Sequence, residues 1–131
     1  MSEFWTNWQP RILSVLRFIT GFLFLWHGTQ KLFGFPPSQQ GGGELSPLIL
    51  VGGILEFFGG ILILVGLFTR WTAFVLSGMM AVAYWMAHGT KSVLPLQNGG
   101  ELAVLYCFVF LYLFFAGGGE WSLDYLLKKK D

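Results

Sequence analysis

Charged side chains are scarce in this sequence, making up 11% of its 131 residues. A soluble domain of that length keeps much of its surface in water, and so few ions cannot coat it without leaving broad apolar patches. The formal net charge of +1 provides no basic field, and no Lys/Arg-rich run precedes the C-terminal tail, which excludes nucleic acid as a partner. Cysteine occurs once, at Cys107, which excludes an internal disulfide framework, a CxxC redox pair and a cysteine-built zinc site. The opening residues MSEFWTNWQPR lack the positive start and small-residue cleavage site of a secretory signal. The first apolar stretch is therefore read as a span that the chain keeps.

Apolar residues are abundant, at 54% hydrophobic and a mean hydropathy of +0.61. They gather in four stretches, residues 11–33, 46–68, 71–89 and 100–117, each near the ~20 residues that cross ~30 Å of hydrocarbon. The stretches are continuous rather than alternating, which favours helices over membrane strands. The fold class predicted is all-α, an integral membrane four-helix bundle forming one domain over residues 1–131 and bathed in the lipid bilayer. Thr69-Arg70-Trp71 is so short a link that spans two and three must form an antiparallel helical hairpin. The segment from Phe33 to Pro47, with adjacent prolines and three adjacent glycines, reads as a loop without regular structure. After Gly117-Gly118-Gly119, Ser122 is a plausible N-cap for a short helix carrying Leu123, Leu126 and Leu127 ahead of three lysines. That pattern suits the membrane interface.

Arg11, Arg70, Lys128, Lys129 and Lys130 flank one side of these spans, against Lys31 and Lys91 on the other. The positive-inside rule then puts both termini in the cytoplasm, with Trp5, Trp8, Trp71 and Trp121 at the same headgroup layer.

Ionisable groups inside spans are costly, about 3 kcal/mol at a helix centre on insertion scales, so each is a candidate functional residue. His27 and Lys31 are four apart and share a face near the outer end of span one. Glu56 lies about 15 Å down span two, near mid-membrane. Gly52, Gly53, Gly59 and Gly60 fall three or four residues to either side of it. They permit close helix approach and point Glu56 into the bundle, where its structural alternative is a carboxyl either protonated or paired with Arg17 or His27. His88 and Glu101 flank the segment between spans three and four and are placed at the outer mouth, Glu101 serving equally as a first-turn carboxylate. Arg17, about six residues into span one, is read as a structural anchor reaching the headgroups. His27 and Glu56 differ in depth by roughly 6 Å, so they are expected to share a polar cavity opening outward. Two histidines also raise a bis-histidine haem, but their depths differ by up to ~9 Å, which disfavours it. No metal-spaced His/Asp/Glu triad, nucleophile set or phosphate loop is present.

The segments HGTQKLFGF from His27, GGILEFFGGILILVGLFTR from Gly52, PLQNGGELAVLY from Pro95 and GGGEWSLD from Gly117 together resemble the DoxX family of bacterial membrane proteins. The resemblance covers nearly the whole chain and implies a four-helix protein of the bacterial inner membrane. It also implies kinship with a small subunit of a thiosulfate:quinone oxidoreductase, and with members that join membrane-associated oxidoreductase complexes. His27, Lys31, Glu56, Arg70, Asn98, Glu101, Ser122 and Asp124 are the polar positions matching the family's pattern. Vitamin K epoxide reductase offers a comparison at the level of a four-helix quinone-reducing bundle, from which this sequence departs by lacking CxxC.

Three functions stay open at this point. One is a redox-linked subunit, working with oxidoreductase partner proteins, in which a lipophilic carrier, most naturally a quinone, meets His27, Lys31 or Glu56. Another is a scaffold or assembly subunit whose polar groups only fix packing. The last is a proton-coupled or small-solute carrier, which with a single four-helix unit requires a homo-oligomer for alternating access.

Overall fold

The computed structural model describes residues 2–37, 46–87, 89 and 91–129. His88 and residues 38–45, in the Pro- and Gly-rich loop, lie outside the described residues. Among those described, every regular element is an α-helix: α1 (Glu3–Phe33), α2 (Pro47–Val65), α3 (Thr69–Ala87), α4 (Pro95–Asn98), α5 (Glu101–Ala116) and α6 (Leu123–Lys129).

The helices extend or stop where local chemistry dictates. α1 starts well before residue 11, because hydropathy marks where a helix meets apolar surroundings and not where it begins. Its cap is Ser2, whose side chain accepts from the Phe4 N–H at 3.1 Å. Pro10 sits inside the helix, in its third turn, where the missing N–H costs α1 one internal hydrogen bond. Ser46 and Pro47 open α2 as cap and first helical residue. Gly66 closes it in the left-handed region (φ 73°), its N–H returning to Ile63 and Leu62. The turn then passes through Phe68, at φ 52° the non-glycine residue with positive φ. The predicted segment between the third and fourth stretches contains one helical turn, α4, opened by Pro95.

Packing is most extensive between α1 and α2 and between α3 and α5, and far thinner between α2 and α3, despite their tight connection. Glycine explains the first pair. A Cβ on Gly21 would lie 2.6 Å from the Leu64 N, and one on Gly28 would lie 2.5 Å from the Phe57 N. The two backbones therefore approach to a distance that a side chain on either glycine would forbid. From the other side, Gly60 meets the Leu25 backbone and Gly53 meets Leu32 and Lys31. The expectation of one four-glycine face around Glu56 is corrected here. Gly59 faces Leu76 of α3, while Gly52 faces open space, because a helix turns 100° per residue and the four positions spread over more than one neighbour. Phe24 of α1 ties the pairs together, its ring 5.1 Å from Tyr106 and 5.0 Å from Phe110 of α5.

Two helices, α1 and α2, are by themselves long and apolar enough to cross a membrane. α5 is a shorter apolar helix of 16 residues, rising about 24 Å. All four long helices present large apolar side chains outward, including Phe22, Phe58, Phe74 and Phe108. That surface matches hydrocarbon and not water.

Candidate functional site

Glu56 is almost completely buried, 3% exposed, on the face of α2 that the close glycine contacts press toward α1. The register set by Gly28 against Phe57 brings Lys31, one turn along α1 from His27, onto the carboxylate. Lys31 Nζ donates to Glu56 Oε1. The partner weighed for a structural Glu56, Arg17 or His27, gives way to Lys31. The other carboxylate oxygen, Oε2, is buried without a hydrogen-bond partner among the described residues. A buried carboxylate is costly unless paired and hydrogen-bonded, and here only half of it is.

The pair borders a cleft of about 500 Å³ between α2 and α3, the seam that the helix pairing leaves loose. Its walls are apolar, from Leu48 and Val51 on α2 to Val82 and Met86 on α3, with Lys31 and Glu56 among the lining residues. Gly52 and Gly78 line it from opposite sides, and a Cβ on either would meet nothing within 4 Å. The expected cavity was polar and shared with His27; the one observed is apolar with a polar spot. His27 lies instead toward α5, its ring 6.4 Å from Phe24 and 5.9 Å from Tyr106. It remains within electrostatic reach of both Glu56 and Lys31. Tyr106, buried on α5 and within electrostatic reach of Glu56, is the member of this cluster that sequence reasoning missed. Its position as the last residue of PLQNGGELAVLY was the available signal. Glu101 is exposed in the first turn of α5, and no hydrogen bond or ion pair among the described residues brings it into the cluster.

The opposite end of the molecule is a second polar assembly, and it corrects the reading of Arg17. That side chain does not reach toward the surface; it is buried, 3% exposed, and all its nitrogens donate to carbonyls. Nε reaches Ile63 O at 2.9 Å, Nη1 reaches Gly118 O, and Nη2 reaches Leu64 O at 3.4 Å and Trp121 O at 3.0 Å. The reason is the strap Gly117–Ser122, which folds back over α1. Ser14 Oγ donates to Gly118 O and accepts from the Trp121 N–H at 2.8 Å. Asp124 caps α3, its two oxygens accepting from Phe68 N at 2.7 Å and Thr69 N at 2.8 Å. Ser122 caps α6 through the Tyr125 N–H. Arg70 Nη1 caps α5 through the carbonyls of Phe114 and Phe115.

The model of the DoxX family matches residues 12–89, more than half of the chain. The chain belongs to the DoxX family. An uncharacterised protein of Haemophilus influenzae is 44% identical, with 95% of this chain and 96% of the relative covered. The inner membrane protein YqjF of Escherichia coli is 32% identical over 88% of this chain and 92% of its own length. An uncharacterised membrane protein of Mycobacterium tuberculosis, Rv3486, is 27% identical over 92% and 84% respectively. No solved structure matches. By this kinship the DoxX chain is an inner membrane protein, which accounts for the apolar surface of its long helices.

Proposed function

We propose that this DoxX protein holds a lipophilic, quinone-type ligand in the α2–α3 cleft and serves as a subunit or partner of a membrane-associated oxidoreductase. In this reading α1, α2, α3 and α5 all cross the inner membrane as one domain, with α6 along the interface and both termini cytoplasmic. Arg11, Arg70 and the terminal lysines at one end, against Lys31 and Lys91 at the other, support that orientation.

The observation that carries the ligand is Glu56 Oε2, a buried oxygen without a partner among the described residues, on a residue lining an apolar cleft of ligand size. A quinone bound there would supply two-electron, two-proton chemistry, with electrons exchanged through the partner oxidoreductase. The chain supplies recognition. Lys31 Nζ has two donors beyond its bond to Glu56 and suits a ring carbonyl oxygen, while Glu56 Oε2 accepts from the hydroxyl of the reduced form. The ion pair thus addresses either redox state at one ligand oxygen. The apolar walls exclude water around it.

The test is the quinone content of protein purified from its own membrane in mild detergent. Wild type should retain quinone, and Glu56→Gln should retain about tenfold less, the worth of one charge-assisted hydrogen bond, with the fold retained because Lys31, its side chain 37% exposed, can turn its freed charge to the headgroups. Gly52→Leu should also empty the cleft while leaving the ion pair intact. Wild type devoid of quinone, or both variants loaded like wild type, would overturn the reading.

A further inference from the structure

The end of the molecule bearing the strap holds a second cleft, of about 470 Å³, lined by residues from the turn after α2, the start of α3, the end of α5 and the face of α6. The ends of three apolar helices meet here, which sets its depth at the headgroup layer. Trp71 and Tyr125 on its walls have the amphipathic rings that this layer favours.

Its charges do not cancel. Two carboxylates line it, and both are already engaged: Glu120 is paired with Arg11 at 3.1 Å, and Asp124 caps two backbone N–H groups within electrostatic reach of buried Arg17. Arg70 and Lys128, the two cations on the walls, have no carboxylate partner among the described residues. Arg70 uses Nη1 on carbonyls, while Nε and Nη2 make no hydrogen bond among the described residues. Gly117 allows this placement, since a Cβ there would come within 3.2 Å of Arg70 Nη2. The Thr69 hydroxyl, completely buried on the same wall, also has no hydrogen-bond partner among the described residues. Buried hydroxyls seldom stay unpaired.

We propose that this cleft binds the phosphate of an anionic phospholipid headgroup, clamped by Arg70 and Lys128 with the Thr69 hydroxyl as a further donor. Arginine's unused edge suits a phosphate oxygen pair. Apolar Leu13, Phe68 and Trp71 beside it suit the glycerol-ester region, which free phosphate lacks. The site is independent of the α2–α3 cleft and of any quinone there.

The experiment is native mass spectrometry of the full-length, delipidated protein titrated with phosphatidylglycerol or phosphatidylcholine, with inorganic phosphate as a separate arm. Phosphatidylglycerol should be retained in preference to phosphatidylcholine. Arg70→Gln and Lys128→Gln should each weaken that retention about fivefold, as expected for loss of one basic group at a membrane surface, and so narrow the preference over phosphatidylcholine, whose choline cation is repelled by the same two groups. Lys128 is exposed and takes part in no hydrogen bond among the described residues, so Lys128→Gln decides the matter if Arg70→Gln fails to fold. Equal retention of the two lipids, wild-type retention by Lys128→Gln, or displacement of the lipid by inorganic phosphate would each overturn the proposal.

Discussion

Replacing Gly28 by alanine adds a single methyl group where the structure has no room for one. That carbon would lie 2.5 Å from Phe57 N, 2.8 Å from Phe57 Cα and 2.9 Å from Glu56 C. All three are backbone atoms, so no side-chain rotation relieves the clash. Ordinary contacts between carbons fall at about 3.5–4.0 Å, so α1 and α2 must part by roughly 1 Å, and a gap of that size forfeits about a quarter to a half of each dispersion contact along the seam. Overpacking of this kind costs about 1–3 kcal/mol, offset in part by the ~0.5–1 kcal/mol that alanine gains over glycine within a helix. Gly52 lies on the same pair of helices but faces open space, so alanine there should keep only the gain. Gly28→Ala should therefore be less stable than Gly52→Ala by about 2 kcal/mol, measured by reversible unfolding in mixed micelles. Equal stabilities, or a larger loss at Gly52, would refute the claim that glycines fix the α1–α2 approach.

Arg17→Lys keeps the charge but cannot span carbonyls on two separate segments; it should cost about 3 kcal/mol in the same unfolding assay and admit protease at Gly117–Gly119, and wild-type stability with an uncut strap would contradict the assigned role. A reporter fused after the chain's last residue should be active in the cytoplasm and one inserted in the loop between α1 and α2 should be active outside; the reverse pattern would invert the proposed orientation.

Some helix ends were legible because they follow local rules: Gly117 ends α5 where the glycine run begins, and Ser122 caps α6 as its position before an apolar run suggested. The start of α1 at Glu3, the stop of α2 at Gly66 and the start of α3 at Thr69, inside the expected link, were not. The partners of the ionisable groups were not legible. Depth alone placed Glu56 within reach of His27, but which residue it meets depends on the sliding register of two helices. That register is set by Gly28 on Phe57 and Gly53 on Lys31, contacts between residues far apart in sequence. Arg17 was misread for a related reason. Counting residues from a span end measures the distance to the surface, and it carries no information about a later segment folding over the same spot. Tyr106 escaped notice because tyrosine in an apolar helix looks the same whether it faces lipid or a buried carboxylate.

The bonds of Arg17 to Gly118 and Trp121 link positions 101 and 104 residues apart, and this imposes an order on biogenesis. As the chain is synthesised, α1 emerges with a guanidinium whose full set of acceptors does not yet exist. Association with α2 supplies Ile63 and Leu64, but the set is complete only when residues beyond α5 have left the ribosome. Until then the arginine must remain at the water boundary or draw water inward, so α1 cannot settle at its final depth. Chains released before Gly118 would lack the strap that finishes the bundle, and membrane quality control would meet them as helices with an unsatisfied cation.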